Sequence, residues 1–273
     1  MLIPIRRIDI LPKVFFNDQF WRTMIPYLIL AILGFVAALE QSTLLIVRLE
    51  DGQTWVTNPC RAEQRFLPAS TAKVAHTFIA LEEGVASGPD CRFPWDGVVR
   101  ELEPWNSDQT LASAYRFSAL WVYQQITQRL GHAKLQRWMR ALEYGNVDIG
   151  SPEDITSYWL EGPLAISAKE QVQFLTRLVR EEYAFSPETY AHGKEIMMEE
   201  SGADWTLYAK SGFSGDVGWY VGWYEILEGE QTRTYLFAFN MDIVSREQLW
   251  LRKASVMHGL GIIEPSVTTR AAR

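Results

Sequence analysis

The stretch PASTAK, at residues 68–73, holds a serine and a lysine three residues apart. In a helix, side chains three residues apart share one face, so the amine of Lys73 would reach the hydroxyl of Ser70. Serine is a poor nucleophile unless a base takes its proton, and a helix N-terminus offers N–H groups to a developing oxyanion. The pattern also arises by chance about once in a chain of this length. Ser70 as a simple N-cap is the equally valid alternative on these residues alone.

Three further short patterns favour one site. SAL at 118–120 opens a predicted helix, YGN at 144–146 lies in an irregular segment, and KSG at 210–212 lies on a predicted strand. On a strand, lysine supplies charge, serine binds a carboxylate, and glycine lets a substrate approach the backbone. Each has an ordinary alternative: an N-cap at Ser118, a turn at 144–146, a surface charge at Lys210. Their order and spacing together favour convergence on one cleft.

The strands that would carry these residues lie at both ends of the sequence. STLLIVRL from Ser42, an Asp-Gly turn and TWVTN predict a hairpin, and TLYAKSGF, GWYVGWYEI and TYLFAFNMDI predict three later strands. Between them, helical spacing follows PAST, two helices broken near Gly131 occupy 118–142, and capping signals at Ser167 and Ser186 open two more. Residues 84–106 and 143–166 are predicted to be irregular, and a helix is expected over 249–262.

This order predicts an α+β fold. One antiparallel sheet would be built from the N- and C-terminal segments, with a mostly helical lobe inserted over roughly 76–180. The cleft between sheet and lobe is the expected place for a ligand.

Composition excludes several function classes. The net charge of −7 argues against a nucleic-acid surface. Cys60 and Cys91 have no metal-ligand spacing, and the four histidines form no H-x-H or H-E-x-x-H pair, so no metal site is expected. Each histidine is expected to be structural or on the surface. A disulfide between the two cysteines is left open.

The N-terminal segment predicts export. Residues 24–39 form 16 residues without a charge, shorter than the roughly 20 that span a bilayer and typical of a secretory signal. Basic residues precede this stretch and small residues at 36–38 offer a cleavage site. We therefore expect residues 1–38 to be a signal peptide or anchor and 39–273 a single domain, periplasmic, with membrane contact only through the N-terminal segment. A buried core helix at 24–39 is the alternative.

Taken together, the motifs resemble those of the class D (oxacillinase-type) β-lactamases, within the penicillin-recognising serine enzymes. YGN with YWLEG separates this class from class A, whose elements include S-D-N. The likeness runs from about Ser42 to Ile263. The segments that carry it are RFLPASTAK (65–73), FPWDG (93–97), SALWVYQQI (118–126), YGN (144–146), YWLEGPLAIS (158–167), KSG (210–212), GWYVGWYE (218–225), FAFNMDI (237–243) and LWLRK (249–253).

The resemblance implies a β-lactamase/transpeptidase-like fold and a serine β-lactamase activity with a β-lactam as the small-molecule partner. Ser70 would form the acyl-enzyme, and Lys73, carbamylated by CO2 to N6-carboxylysine, would be the general base, with no other cofactor. A buried apolar setting lowers the pKa of a lysine and would keep the Lys73 amine neutral enough to react. Trp159 would hold the carbamate through its indole N–H.

The resemblance also assigns the remaining site residues. Ser118 would relay a proton to the leaving lactam nitrogen, and Lys210 would stabilise negative charge beside it. The other residues would bind the substrate or support the site: Ser211 and Arg252 at its carboxylate, the backbone N–H groups of Ser70 and Phe213 as oxyanion hole, Gly212 at the strand backbone, and Tyr144 and Asn146 in the YGN element.

Two departures from the family pattern concern the base. Ala72 stands where the family usually has an aromatic residue before the lysine, and Leu120 stands where it usually has valine. Two other activities stay open: a penicillin-binding transpeptidase, which usually carries S-x-N as its second element, and a β-lactam-binding sensor domain, which follows a multi-span membrane region. An inactive relative, the oligomeric state and the substrate range are also left open.

Overall fold

The central element is an antiparallel sheet in the computed structural model, which describes residues 41–263. Its strands are β1 (Ser42–Arg48), β2 (Thr54–Val56), β5 (Met198–Ser201), β6 (Trp205–Ser214), β7 (Val217–Glu228) and β8 (Gln231–Asp242). They lie side by side in the order β2-β1-β8-β7-β6-β5. A separate two-stranded sheet pairs β3 (Arg92–Phe93) with β4 (Gln109–Thr110).

Most of the helices lie between β2 and β5 in the sequence. They are α1 (Pro59–Ala62), α2 (Lys73–Glu82), α3 (Leu111–Arg116), α4 (Leu120–Leu130), α5 (His132–Ala141), α6 (Ala168–Val179) and α7 (Pro187–Met197), and α8 (Leu251–Ile263) follows the sheet. Short 3-10 segments occur at Ala69–Ala72, Glu103–Trp105, Pro152–Asp154 and Arg246–Trp250.

The two ends of the described chain meet in the middle of the sheet. Strand β1 pairs antiparallel with β8, with Leu45 opposite Ala238, and β8 pairs with β7 along its whole length. The α+β fold with an inserted helical lobe is therefore confirmed.

Local signals in the sequence set the helix boundaries. Ser167 and Glu170 form the expected capping box at the start of α6, and Ser186 accepts from the N–H of Thr189 at the start of α7. Gly131, with φ +77°, separates α4 from α5. The predicted helix near 249–262 begins as a 3-10 segment and continues as α8.

The sheet buries both of its faces. One face packs on the helical lobe around Phe78, Val122 and Trp159, and the other packs on α8 through Leu44, Val256 and Leu260. The interface between the sheet and the helical lobe includes residues 69–73 and β6. The candidate residues therefore lie where two packed layers fix the backbone.

Several short elements were not predicted. The helices α1 and α3 have four and six residues, too few for a helical period to register, and β5 reads MEES, which is polar and exposed at a sheet edge.

Cys60 and Cys91 are free thiols, so the structure contains no bridge between them. The predictions for residues 1–38 and for 24–39 fall outside the described residues. In the part of the chain that is described, no helix is long and apolar enough to span a membrane.

Candidate active site

Ser70 and Lys73 form a direct pair at the start of a helix. Lys73 Nζ lies 2.8 Å from Ser70 Oγ. Ser70 belongs to the 3-10 segment Ala69–Ala72, and Lys73 is the first residue of α2. The interpretation of Ser70 as a simple N-cap is wrong, because Pro68 occupies that position and no side chain caps the segment.

The surroundings of Lys73 favour a neutral amine. The side chain is fully buried, and its Nζ lies 5.1 Å from the ring centroid of Tyr123. Burial, and secondarily the charge of Lys210, hold the pKa of Lys73 well below its ordinary value. A neutral amine beside a serine hydroxyl is able to accept its proton.

A second serine–lysine pair joins the two lobes. Lys210 Nζ donates to Ser118 Oγ at 2.5 Å and to the carbonyl of Ser211 at 3.0 Å. Ser118 has φ +57°, a rare conformation for a residue with a side chain, and it precedes α4 without capping it. Lys210 is buried in β6, so the alternatives of an N-cap at Ser118 and a surface charge at Lys210 are both wrong. Burial and the nearby Arg252 lower the pKa of Lys210 to about 7, against the opposing charge of Glu199.

Strand β6 lies directly against the segment that carries the nucleophile. A Cβ atom at Gly212 would come 3.0 Å from the carbonyl oxygen of Pro68 and 3.1 Å from the backbone nitrogen of Thr71. Any larger residue would press on this backbone, so glycine suits the close approach. The contact brings the backbone near Phe213 alongside Ser70, as two N–H donors to one oxyanion require.

Arg252 connects α8 to this same strand. Its Nη1 donates to the carbonyl of Gly212 at 2.7 Å and its Nε to the carbonyl of Leu249 at 2.7 Å. Arg252, Lys210 and Ser211 line a cavity of about 1020 Å³. Neither Ser70 nor Lys73 lines it, so this cavity lies beside the nucleophile and not around it. Two cations and a hydroxyl on one wall suit an anionic group such as a carboxylate.

Trp159 carries a buried donor without an acceptor. The ring is fully buried, and Nε1 has no hydrogen-bond partner among the described residues. The His76 ring stands edge-on to it, with centroids 4.9 Å apart, and Nε2 of His76 lies 2.5 Å from the Tyr158 hydroxyl. An unpaired buried N–H is costly, so an acceptor group beside Trp159 would be strongly favoured.

The YGN element braces the site from outside it. Gly145 has φ +59°, and a Cβ there would lie 2.2 Å from the carbonyl oxygen of Ala165. Asn146 Oδ1 accepts from the N–H of Ala165 at 3.0 Å, and its Nδ2 donates to the carbonyl of Pro163 at 2.8 Å. The turn predicted as the alternative at 144–146 is present, and Asn146 ties it to the segment that follows Trp159.

Tyr144 reaches the nucleophile segment through one intermediate. Its hydroxyl accepts from Gln171 Nε2 at 3.4 Å, and the same nitrogen donates to Thr71 Oγ1 at 2.9 Å. Tyr144 is fully buried. The structure thus brings Ser70, Lys73, Ser118 and Lys210 into two pairs, while Tyr144 and Asn146 support the backbone around them.

Sequence reasoning missed two residues packed against the pairs. His76, one turn after Lys73, is buried, and burial lowers its pKa to about 3, so the ring is neutral. The ring of Tyr115 faces Lys210, and its centroid lies 5.5 Å from Lys210 Nζ. The spacing of three residues from Lys73 to His76 was a usable signal, whereas nothing in the sequence placed Tyr115 near Lys210.

The two departures from the family pattern have different settings. Ala72 is fully buried in the core next to Lys73, and Leu120, at the first position of α4, is partly buried against that core. Within residues 41–263, no group of three or more His, Cys, Asp or Glu side chains is arranged to hold a metal ion.

Comparisons with known proteins place these features in one family. The family described as Penicillin binding protein transpeptidase domain matches residues 39–248. Beta-lactamase OXA-2 of Salmonella typhimurium is 40% identical over 232 residues, covering 83% of this chain and 82% of its own. Beta-lactamase OXA-48 of Klebsiella pneumoniae is 36% identical over 206 residues, covering 74% and 76%.

Solved structures of class D β-lactamases have the same fold as this chain. The class D β-lactamase YbXI from Nostoc superposes with a TM-score of 0.77 at 35% identity, covering 81% of this chain and 93% of its own. FUS-1 (OXA-85), a class D β-lactamase from Fusobacterium nucleatum subsp. polymorphum, gives 0.77 at 34% identity, covering 82% and 92%. With the two Ser–Lys pairs in place, the chain belongs to the class D β-lactamases.

Proposed function

We propose that the protein hydrolyses β-lactams through an acyl-enzyme on Ser70. The observation that carries this proposal is the pairing of Lys73 with Ser70 at 2.8 Å beside the pairing of Lys210 with Ser118 at 2.5 Å. One pair supplies a nucleophile with its base, and the other supplies a proton donor and a positive charge for the leaving nitrogen.

In acylation, Ser70 Oγ bonds to the lactam carbonyl carbon while Lys73 takes the hydroxyl proton. The lactam C–N bond breaks, and the lactam nitrogen takes the proton of Ser118 Oγ. Lys210 Nζ then donates a proton to Ser118 Oγ. Exchange with solvent then restores both lysines. The N–H groups of Ser70 and Phe213 hold the oxyanion, because β6 lies against the nucleophile segment at Gly212.

In deacylation, a water oxygen attacks the ester carbonyl carbon while Lys73 takes a proton from the water. The bond from that carbon to Ser70 Oγ then breaks, and Lys73 returns the proton to Ser70 Oγ. The substrate carboxylate binds at the wall formed by Ser211, Lys210 and Arg252. The ester carbonyl lies beside the same base as the lactam carbonyl did. The same residues therefore act in acylation and in deacylation.

The residues around Lys73 fit a carbamate. Its amine is buried and neutral, the form that adds CO2, and the unpaired indole N–H of Trp159 offers a donor for a carbamate oxygen. Such a group, when bound, supplies an anionic oxygen as proton acceptor in place of the neutral amine. Lys73 would carry it and Trp159 would hold it.

We also propose that the protein is exported. The uncharged run at 24–39, with basic residues before it and small residues at its end, supports a signal peptide or anchor. Expression of the full chain in a Gram-negative host, followed by release of the periplasm, should recover the activity there or in the membrane. Recovery from the cytosol alone would refute export.

The proposed activity is tested by turnover of a chromogenic cephalosporin by the purified protein, with and without added bicarbonate. Steady turnover enhanced by bicarbonate is expected, Ser70→Ala should abolish acylation, and Lys73→Ala should block hydrolysis. A single stoichiometric burst without steady turnover would support the sensor alternative and contradict the proposed hydrolysis. The absence of any acylation would refute both.

A further inference from the structure

We infer that Tyr115 is a positioning residue for the Lys210–Ser118 pair and that its ring favours the charged form of Lys210. The inference rests on the proposed acyl-enzyme chemistry, in which Lys210 acts as a cation. Tyr115 is the penultimate residue of α3 and is almost completely buried.

Tyr115 contacts both members of the pair and the strand between them. Its backbone carbonyl accepts the N–H of Ser118 at 3.2 Å, which stabilises the unusual backbone of that residue. Its hydroxyl donates to the carbonyl of Ala209 at 3.3 Å, one residue before Lys210 on β6. Its ring centroid lies 5.5 Å from Lys210 Nζ. These three contacts come from one residue, and they fix the lysine relative to the serine across the cleft.

The ring faces an ammonium that has few attractive partners. Arg252 on α8 repels a charge on Lys210, while Glu199 on β5 attracts it, and Lys73 on α2 is neutral and adds no charge. The remaining close groups are the Ser118 hydroxyl and the carbonyl of Ser211, and no ion pair of Lys210 occurs among the described residues. An aromatic face within about 6 Å attracts a cation, most strongly when both are desolvated. Tyr115 therefore adds attraction where burial opposes charge.

A purely structural tyrosine would act differently. If Tyr115 only fills space, its effect depends on its size and not on the electrons of its ring. A ring of the same shape with depleted electron density separates the two roles. Phenylalanine at position 115 keeps the ring and loses the hydroxyl, while a fluorinated phenylalanine at the same position keeps the shape and weakens attraction to the cation.

The experiment compares Tyr115→Phe, a tetrafluorophenylalanine at position 115, and Tyr115→Leu in the full chain. The pH dependence of kcat/KM is measured with a chromogenic cephalosporin. Because activity requires charged Lys210, it falls as pH rises through the pKa of that lysine. A weaker ring lowers this pKa, so the basic limb should move down by about half a pH unit in the fluorinated and leucine variants. Tyr115→Phe should keep the wild-type limb.

A direct readout keeps the inference separate from the activity itself. The ¹³C NMR titration of the labelled lysine side chains, with Lys210 assigned through Lys210→Arg, should show the same order of pKa values without any substrate. Absence of wild-type turnover would refute the proposed function and leave this titration standing. Equal Lys210 titration in the phenylalanine and fluorinated variants would overturn the role of Tyr115 alone.

Tyr183 provides a matched control. It is a buried tyrosine of the helical lobe whose hydroxyl donates to the carbonyl of Leu142 at 3.1 Å and whose ring lies under Arg177. Tyr183→Leu should lower thermal stability and leave the basic limb in place. A shift as large as that of Tyr115→Leu would also overturn the inference.

Discussion

Replacement of Trp159 by phenylalanine separates a structural tryptophan from one that holds a carbamate. The indole N–H of Trp159 is buried without an acceptor among the described residues. Trp219 offers a matched control, since it is equally buried but its N–H donates to the carbonyl of Leu67 at 2.9 Å. Both changes to phenylalanine remove similar volume, so the cavity terms largely cancel in the comparison.

The magnitudes follow from the hydrogen bonds. Trp219→Phe removes the hydrogen bond to the partly buried carbonyl of Leu67 and should cost about 0.5–1.5 kcal/mol beyond the cavity. Trp159→Phe without bicarbonate removes a donor that was already unpaired, so this extra cost should be absent. With bicarbonate, Trp159→Phe removes the bond to the carbamate. A loss of about 1–3 kcal/mol corresponds to roughly a fivefold to 150-fold weaker uptake of CO2.

The assay is thermal unfolding with and without bicarbonate. Ligand that binds only the folded state raises Tm, and 1 kcal/mol is worth about 2–4 °C in a domain of this size. Bicarbonate should raise the Tm of the wild type and of Trp219→Phe by equal amounts, and that of Trp159→Phe by several degrees less. An equal response in all three proteins would refute the role of Trp159, whatever the effect on turnover.

Three further outcomes follow from the geometry. Gly212→Ala should slow acylation by a fluorescent penicillin at least about tenfold, because its methyl group would press on the carbonyl of Pro68 at 3.0 Å. Asn146→Ala should lower the free energy of unfolding in calorimetry by about 1–3 kcal/mol, since it unpairs the backbone of Pro163 and Ala165. The native state releases the proton of Lys210 near pH 7, whereas the unfolded chain keeps it to about 10.5. Stability should therefore rise from pH 7 to 9, and Lys210→Met should flatten denaturant-derived slopes by up to about 1.4 kcal/mol per pH unit.

A specific result would contradict each of these three predictions. Unchanged acylation by Gly212→Ala would mean that β6 yields at this contact. A loss of activity in Asn146→Ala without a loss of stability would give Asn146 a direct role in the chemistry. A parallel pH slope in Lys210→Met and wild type would mean that Lys210 keeps its proton in the native state.

The sequence was most informative where a residue's chemistry and its local position coincide. The spacing of Ser70 and Lys73 places both on one turn, and that turn depends only on backbone within four residues. The strand and helix order was also predictable, because periodicity and capping residues such as Ser167 act locally.

The rest depends on contacts between distant segments. The Lys210–Ser118 bond requires the register of β6 and a positive φ at Ser118, and neither is encoded within a few residues. The burial of Lys210 was likewise not visible, because lysine is nearly always exposed. Tyr115 sits in a helix too short to predict, and its contact with Lys210 spans the cleft.

In the proposed mechanism, one residue type serves as base and as acid in the same site. Neither forms an ion pair with any described residue; their closest partners are hydroxyl groups, carbonyls and aromatic rings. A carboxylate beside either lysine would keep it protonated, and Lys73 would then be unable to take the proton of Ser70. Because the charge of Lys210 itself disfavours a charge on Lys73, protonation of one promotes deprotonation of the other. Glu199 and the ring of Tyr115 bias that choice toward a charged Lys210, so the environment supports the proposed roles of Lys73 as base and Lys210 as acid.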